Sequence, residues 1–150
     1  MKTGTLIALG IGAVLTAGAS MRVHAQPPPP ARATLTLAMS GNTCGKTLTG
    51  NDTDPNFRDR IRARRNGAVE WTVVNNCRAE AVVRLDEWIR KEDKGAESPF
   101  DPAGTATCTA APGASCVIAL RVRGNARVTT YSYSTIINGT RNDPDLIIDG

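Results

Sequence analysis

Apolar and polar side chains alternate in short runs along most of this chain, which is the period of half-buried strands and not of helices. The run 58–76, RDRIRARRNGAVEWTVVNN, holds two such patterns about one Asn-Gly corner. Ile61 and Ala63 alternate with Arg60, Arg62 and Arg64, while Val69, Trp71 and Val73 alternate with Glu70 and Thr72. Asn66-Gly67 suits a two-residue hairpin turn, because both positions tolerate positive φ. That turn would pair Arg62 with Trp71 and Ala63 with Glu70, setting arginines on the apolar face. A slip of one residue inverts every side chain, so the corner either carries a bulge or passes the chain to a facing sheet. The second route lets both apolar faces look into one core, and it is the one predicted.

Other strands follow from the same pattern. Residues 34–39 alternate Leu35 and Leu37 with threonines, and 79–88 carry Val83 and Leu85 in alternation. Residues 117–123 point Ile118, Leu120 and Val122 inward, and 127–138 gather Tyr131, Tyr133, Thr135 and Ile137 on one face. Asn138-Gly139 turns that strand, and 146–148 closes the fold. Stretches 40–57 and 91–107 are rich in Gly, Asn, Asp, Pro and charge and read as loops, the second with room for one helical turn. Seven short strands without an amphipathic helix predict an all-β, Greek-key β-sandwich.

Residues 1–25 read as a signal peptide: Lys2, an apolar stretch over 6–15, and Val23-His24-Ala25 as a small-x-small cleavage site, with Ala17-Gly18-Ala19 as a second. The apolar stretch is shorter than the ~20 residues a membrane span needs. Residues 26–31, QPPPPA, form a stiff extended linker, and 32–150 form one domain. The expected location is periplasmic or extracellular, in a bacterium, with no membrane span once the leader is removed.

Charge then narrows the partners. The chain has 18 Lys and Arg; losing Lys2 and Arg22 leaves 16 against 14 Asp and Glu, a net charge of +2. That is too small an excess to imply nucleic acid. Cys44, Cys77, Cys108 and Cys116 are an even number in an exported chain, so two disulfides are expected. The predicted pairs are Cys108 with Cys116 across TAAPGAS, and Cys44 with Cys77. A four-thiolate zinc site is the rival, but no Cys-x-x-Cys pair supports it.

The runs IRARRNGAVEWTVVNN and VTTYSYSTIINGTRNDPDLII resemble the early and late halves of cupredoxins, the plastocyanin and azurin type of sandwich. The resemblance covers most of the domain in pattern and implies a copper site of two imidazoles and a thiolate. On the implied alignment Glu80 stands near the first histidine ligand and Thr135 near the ligand cysteine. The chain departs from the family there. His24 is its single histidine and leaves with the leader, and Met39 is the one methionine remaining. The resemblance therefore implies a cupredoxin-like domain without copper, and no other cofactor is expected.

Loss of imidazole also removes Ser-His-Asp and Cys-His catalysis and the usual zinc hydrolase sites. Asp86 and Glu87, adjacent in a strand, should point to opposite faces, a poor acid and base pair. Asp52, Asp54 and Asn56 have the spacing that opens an EF-hand loop, yet Phe57 and Ala63 occupy the glycine and glutamate positions, so an acidic turn is expected. Asn51 and Asn138 begin Asn-x-Thr sequons, which matter only in a glycosylating cell. Arg60, Arg62 and Arg64 should form a row on an outer sheet face, able to meet an anionic or protein partner, or simply to protect an edge. The expectation is a non-catalytic exported module of unknown ligand. The alternatives are a metal or redox protein with other ligands, and a carboxylate enzyme.

Overall fold

The computed structural model describes residues 28–150, so the expected signal peptide and its cleavage position lie outside the described residues. In chain order the strands are β1 (Ala31–Ser40), β2 (Thr43–Thr49), β3 (Ile61–Arg64), β4 (Ala68–Asn76), β5 (Ala81–Arg90) and β6 (Phe100–Asp101). They continue as β7 (Ala106–Ala110), β8 (Ser115–Val122), β9 (Thr130–Ile137), β10 (Thr140–Asn142) and β11 (Asp145–Asp149). One sheet has the order β2-β1-β4-β8-β6 and the other β3-β11-β9-β5-β7, with β10 beside β9. Neighbours in each sheet are mostly distant in sequence, as a Greek-key sandwich requires.

The corner at Asn66 does pass the chain between sheets. Asn66 takes φ 59°, and the Gly67 N–H donates to the Arg64 carbonyl at 3.0 Å, closing the turn. β3 then lies in one layer and β4 in the other, and both bury their apolar faces: Ile61 and Ala63 from β3, Val69, Trp71 and Val73 from β4. Between the layers an aromatic cluster centres on Trp71, with ring centroids 5.8 Å from Phe100, 5.9 Å from Tyr133 and 6.2 Å from Trp88. Each such pair is worth about 0.5–1.5 kcal/mol beyond the area it buries. Trp71 Nε1–H donates to the Tyr133 hydroxyl at 3.0 Å, so the indole enters the core without an unsatisfied donor. Buried Asn75 is satisfied likewise, donating to the Ala79 and Ala110 carbonyls and accepting the Cys77 N–H.

Both expected disulfides are formed, Cys44 with Cys77 and Cys108 with Cys116. The first ties edge strand β2 to the end of β4, and the second ties β7 to β8 across the two sheets.

Several expectations need correction. Among the described residues the strands number eleven, not seven. Stretch 40–57 is not a loop: it holds β2, turned at Gly41 with φ 62°, and a 3-10 helix over Pro55–Phe57. Nearly every β2 residue is exposed, so no alternation marks it. Stretch 91–107 contains β6 and the start of β7 and has no helical turn among its residues. Ala31 belongs to β1 and not to the linker. Finally, Asp86 and Glu87 do not face opposite ways. The register of β5 against β9 shifts between Asp86 and Ile89, Glu87 takes φ 53°, and Leu85 and Trp88 both turn inward. One extra residue at this bulge leaves both carboxylates on the outer side.

Candidate functional site

β3 displays Arg62 and Arg64 outward, as its alternation requires. Arg60 lies outside the strand, before Ile61, with its guanidinium 3.6 Å over the Phe57 ring and 3.8 Å from Asp52. Arg62 reaches Asp52 at 3.3 Å and Asp149 at 3.1 Å. Two of the three arginines thus have acidic partners, and the row is largely neutralised where it stands.

Asp52 is itself held in the turn. Its Oδ1 accepts the Asp54 N–H at 3.1 Å, and Asp54 Oδ1 accepts the Asn56 N–H at 2.9 Å, capping the 3-10 helix. The Asp54 amide first, and the Arg62 and Arg60 guanidiniums after it, keep the Asp52 carboxyl below the ordinary range. The acidic loop therefore carries a turn and an ion pair, and the described residues contain no group of three His, Cys, Asp or Glu side chains arranged for a metal ion.

At the bulge, the buried Ser134 hydroxyl lies 3.0 Å from Glu87 Oε2 and 3.1 Å from Asp143 Oδ1, while Arg141 bridges both carboxylates. The hydroxyl is enclosed, so this cluster braces the outer face of β9 and offers no nucleophile to solvent.

A cleft opens instead where edge strand β2 stands over the β9–β10 hairpin. Its volume is about 250 Å³. Leu35, Leu48 and Pro144 form an apolar floor, and Lys46, Asp59, Thr135, Asn142 and Asp143 supply the polar groups. Strand register explains the arrangement. Lys46 is paired with buried Leu37 and Leu48 with Leu35, so the lysine projects from the inner face of an edge strand. Thr135 is paired with Asn142 on β10, which places a hydroxyl and an amide side by side. Thr135 is 4% exposed, and its Oγ1, although beside the Tyr133 hydroxyl, makes no hydrogen bond of ordinary geometry. Burial, with the Asp59 charge adding to it, pushes the Tyr133 phenol pKa up. Asp143 is engaged by Arg141, whereas Lys46 and Asp59 make no ion pair among the described residues. Past Lys46 the opening continues over Leu37 and Ile137 toward the Cys44–Cys77 disulfide. Leu35 and Thr135 were legible only as inward strand positions, and Lys46, Leu48, Asp59 and Asn142 carried no signal in the sequence: the β1–β2 and β9–β10 hairpins are brought together only by the packing of one sheet on the other.

The two positions that the resemblance aligns with copper ligands, Glu80 and Thr135, carry a carboxylate and a hydroxyl. Thr135 is paired with Leu85 of β5, five residues along the chain from Glu80, which precedes that strand, and the Glu80 carbonyl accepts from Asn138 Nδ2 at 3.2 Å. The two positions aligned with copper ligands do not converge, and neither is an imidazole or a thiolate.

No family model matches the chain, and no curated protein matches it. Among solved structures it is similar to Lac15 from a marine microbial metagenome, at 12% identity and a TM-score of 0.41, over 98% of this chain and 31% of that one. It is similar also to the McoA multicopper oxidase of Aquifex aeolicus, at 14% identity and a TM-score of 0.46, over 95% and 32% of the two chains. A multicopper oxidase from Campylobacter jejuni gives 13% identity and a TM-score of 0.41, over 83% and 29%. The chain spans about a third of the length of these structures. The sandwich rests on the strand order above.

Proposed function

We propose that this chain is a non-catalytic exported β-sandwich module that meets its ligand in the cleft between β2 and the β9–β10 hairpin, and not along the arginine row. The observation that carries this reading is the contrast in pairing. Lys46 and Asp59 stand without ionic partners around a concave apolar floor, whereas Arg60 and Arg62 already have Asp52, Asp149 and the Phe57 ring. A concave site with an apolar lining and a few convergent polar groups is the usual form of a small-ligand site. The leader-like N-terminus and two disulfides support export to an oxidising compartment. The absence of an imidazole after the leader, and the hydroxyl at Thr135, support binding over copper chemistry.

The test is an amide chemical-shift map of the isotope-labelled protein against two additions: the low-mass fraction of the fluid into which it is exported, and heparin. The expected result is a set of shifts at Lys46, Leu48, Thr135 and Asn142 with the low-mass fraction. Shifts centred on Arg62 and Arg64 with heparin, and none in the cleft with either addition, would overturn the proposal.

A further inference from the structure

Resting on the cleft reading above, we infer that the ligand is a small zwitterion of the free α-amino-acid class with a short aliphatic side chain. The cleft sets one unpaired cation, Lys46 on β2, and one unpaired anion, Asp59 before β3, around the same space of about 250 Å³. A simple anion would satisfy Lys46 and be repelled by Asp59; a simple cation would do the reverse. A molecule with a carboxylate and an ammonium a few bonds apart satisfies both, through charge-assisted hydrogen bonds, the stronger kind. Thr135 Oγ1, buried without an ordinary partner, and the Asn142 amide beside it offer two further polar contacts. Leu35, Leu48 and Pro144 leave an apolar surface for a side chain. The volume lies below the ~300 Å³ at which sites for drug-sized ligands begin, so the ligand has few heavy atoms. Sugars commonly dock on an aromatic face, and the rings of Trp71, Trp88, Phe100 and Tyr133 are all buried against one another.

Titration calorimetry with L-leucine tests the assignment, with leucinol, which lacks the carboxylate, and 4-methylpentanoate, which lacks the ammonium. In the wild-type protein each analogue should bind at least about tenfold more weakly than leucine. Lys46→Gln should weaken leucine to the level of leucinol, abolishing discrimination between those two. Asp59→Asn should abolish discrimination between leucine and 4-methylpentanoate. This crossed pattern cannot arise from general misfolding, and both positions are on the surface side of the cleft. Leucine binding that survives both substitutions, or equal binding of all three compounds to the wild type, would overturn the inference. So would no leucine binding at about 10 mM, weaker than a millimolar affinity. If leucine fails while the low-mass fraction still shifts the Lys46, Leu48 and Thr135 amides, the zwitterion is wrong and the cleft reading stands. If both fail, both fall.

Discussion

The free side of β3 is closed by a single side chain. Asn51 Nδ2–H donates to the Arg62 carbonyl at 2.9 Å, and Asn51 Oδ1 accepts the Arg62 N–H at 2.7 Å, so one amide copies the pairing of an absent strand. An unpaired edge invites pairing with another chain, and a cap of this kind blocks it. Asn51→Ala removes both bonds. Each is worth about 0.5–1.5 kcal/mol net, and because water can replace the amide at this exposed site the sum should be near 1–2 kcal/mol. For a domain of this size that is a fall in Tm of roughly 4–10 °C. Asn51→Asp keeps the acceptor and loses the donor, and should fall between the variant and the wild type. Thermal unfolding followed by circular dichroism gives the shift, and amide hydrogen exchange at Arg62 gives the local effect. An unchanged Arg62 exchange rate, with Tm within about 1 °C of wild type, would refute the capping argument.

Three other outcomes follow from the same structure. Removing the Cys44–Cys77 disulfide, which closes 33 residues, should cost ~3.7 kcal/mol, against ~2.5 for Cys108–Cys116, which closes 8, if chain entropy dominates; paired Cys→Ser variants in denaturant unfolding give the ranking. Tyr133→Phe leaves Trp71 Nε1 buried without an acceptor and should cost about 1–3 kcal/mol, with near-ultraviolet circular dichroism confirming an intact core. Arg90, and then the Gly95 N–H, hold the Asp93 carboxyl down to about 2 from an ordinary 3.8, and Arg123 lowers Glu97. A depressed folded pKa gives stability that is present above the unfolded value and lost as pH falls through the folded one, so Tm should drop between about pH 4 and pH 2, and less steeply in Asp93→Asn.

Much of the architecture was legible because it is written in side chains that alternate between core and solvent. β1, β3, β4 and β11 alternate between core and solvent, β8 alternates exposed residues with buried or half-buried ones, and β9 keeps the period apart from buried Ser134; the parity clash at Asn66-Gly67 was enough to predict a change of sheet. What escaped notice does not alternate. β2 is a solvent-facing edge in which only Leu48 is half-buried, and β6 has two residues, too few for any period. The bulge at Glu87 breaks the period itself. Asn51 gave no sign of its cap, since the partner is a backbone eleven residues away and the loop between them has no regular pattern. The cleft was the least legible feature: Lys46, Asp59 and Thr135 meet only because β2 is laid over β9, and isolated charged or hydroxyl residues look alike in sequence whether paired or not. The arginine row was visible as a pattern, but its neutralisation depends on Asp149 at the far end of the chain.

Whether the ligand meets the cleft or the arginines is decided most directly by ligand-induced stabilisation in three proteins: the wild type, a Lys46→Gln/Asp59→Asn double variant, and an Arg62→Gln/Arg64→Gln double variant. Binding to the folded state alone raises Tm by mass action. The account predicts that the low-mass fraction of the export fluid raises Tm equally in the wild type and the arginine variant and leaves the cleft variant unmoved. A rise that persists in the cleft variant and disappears in the arginine variant would contradict it.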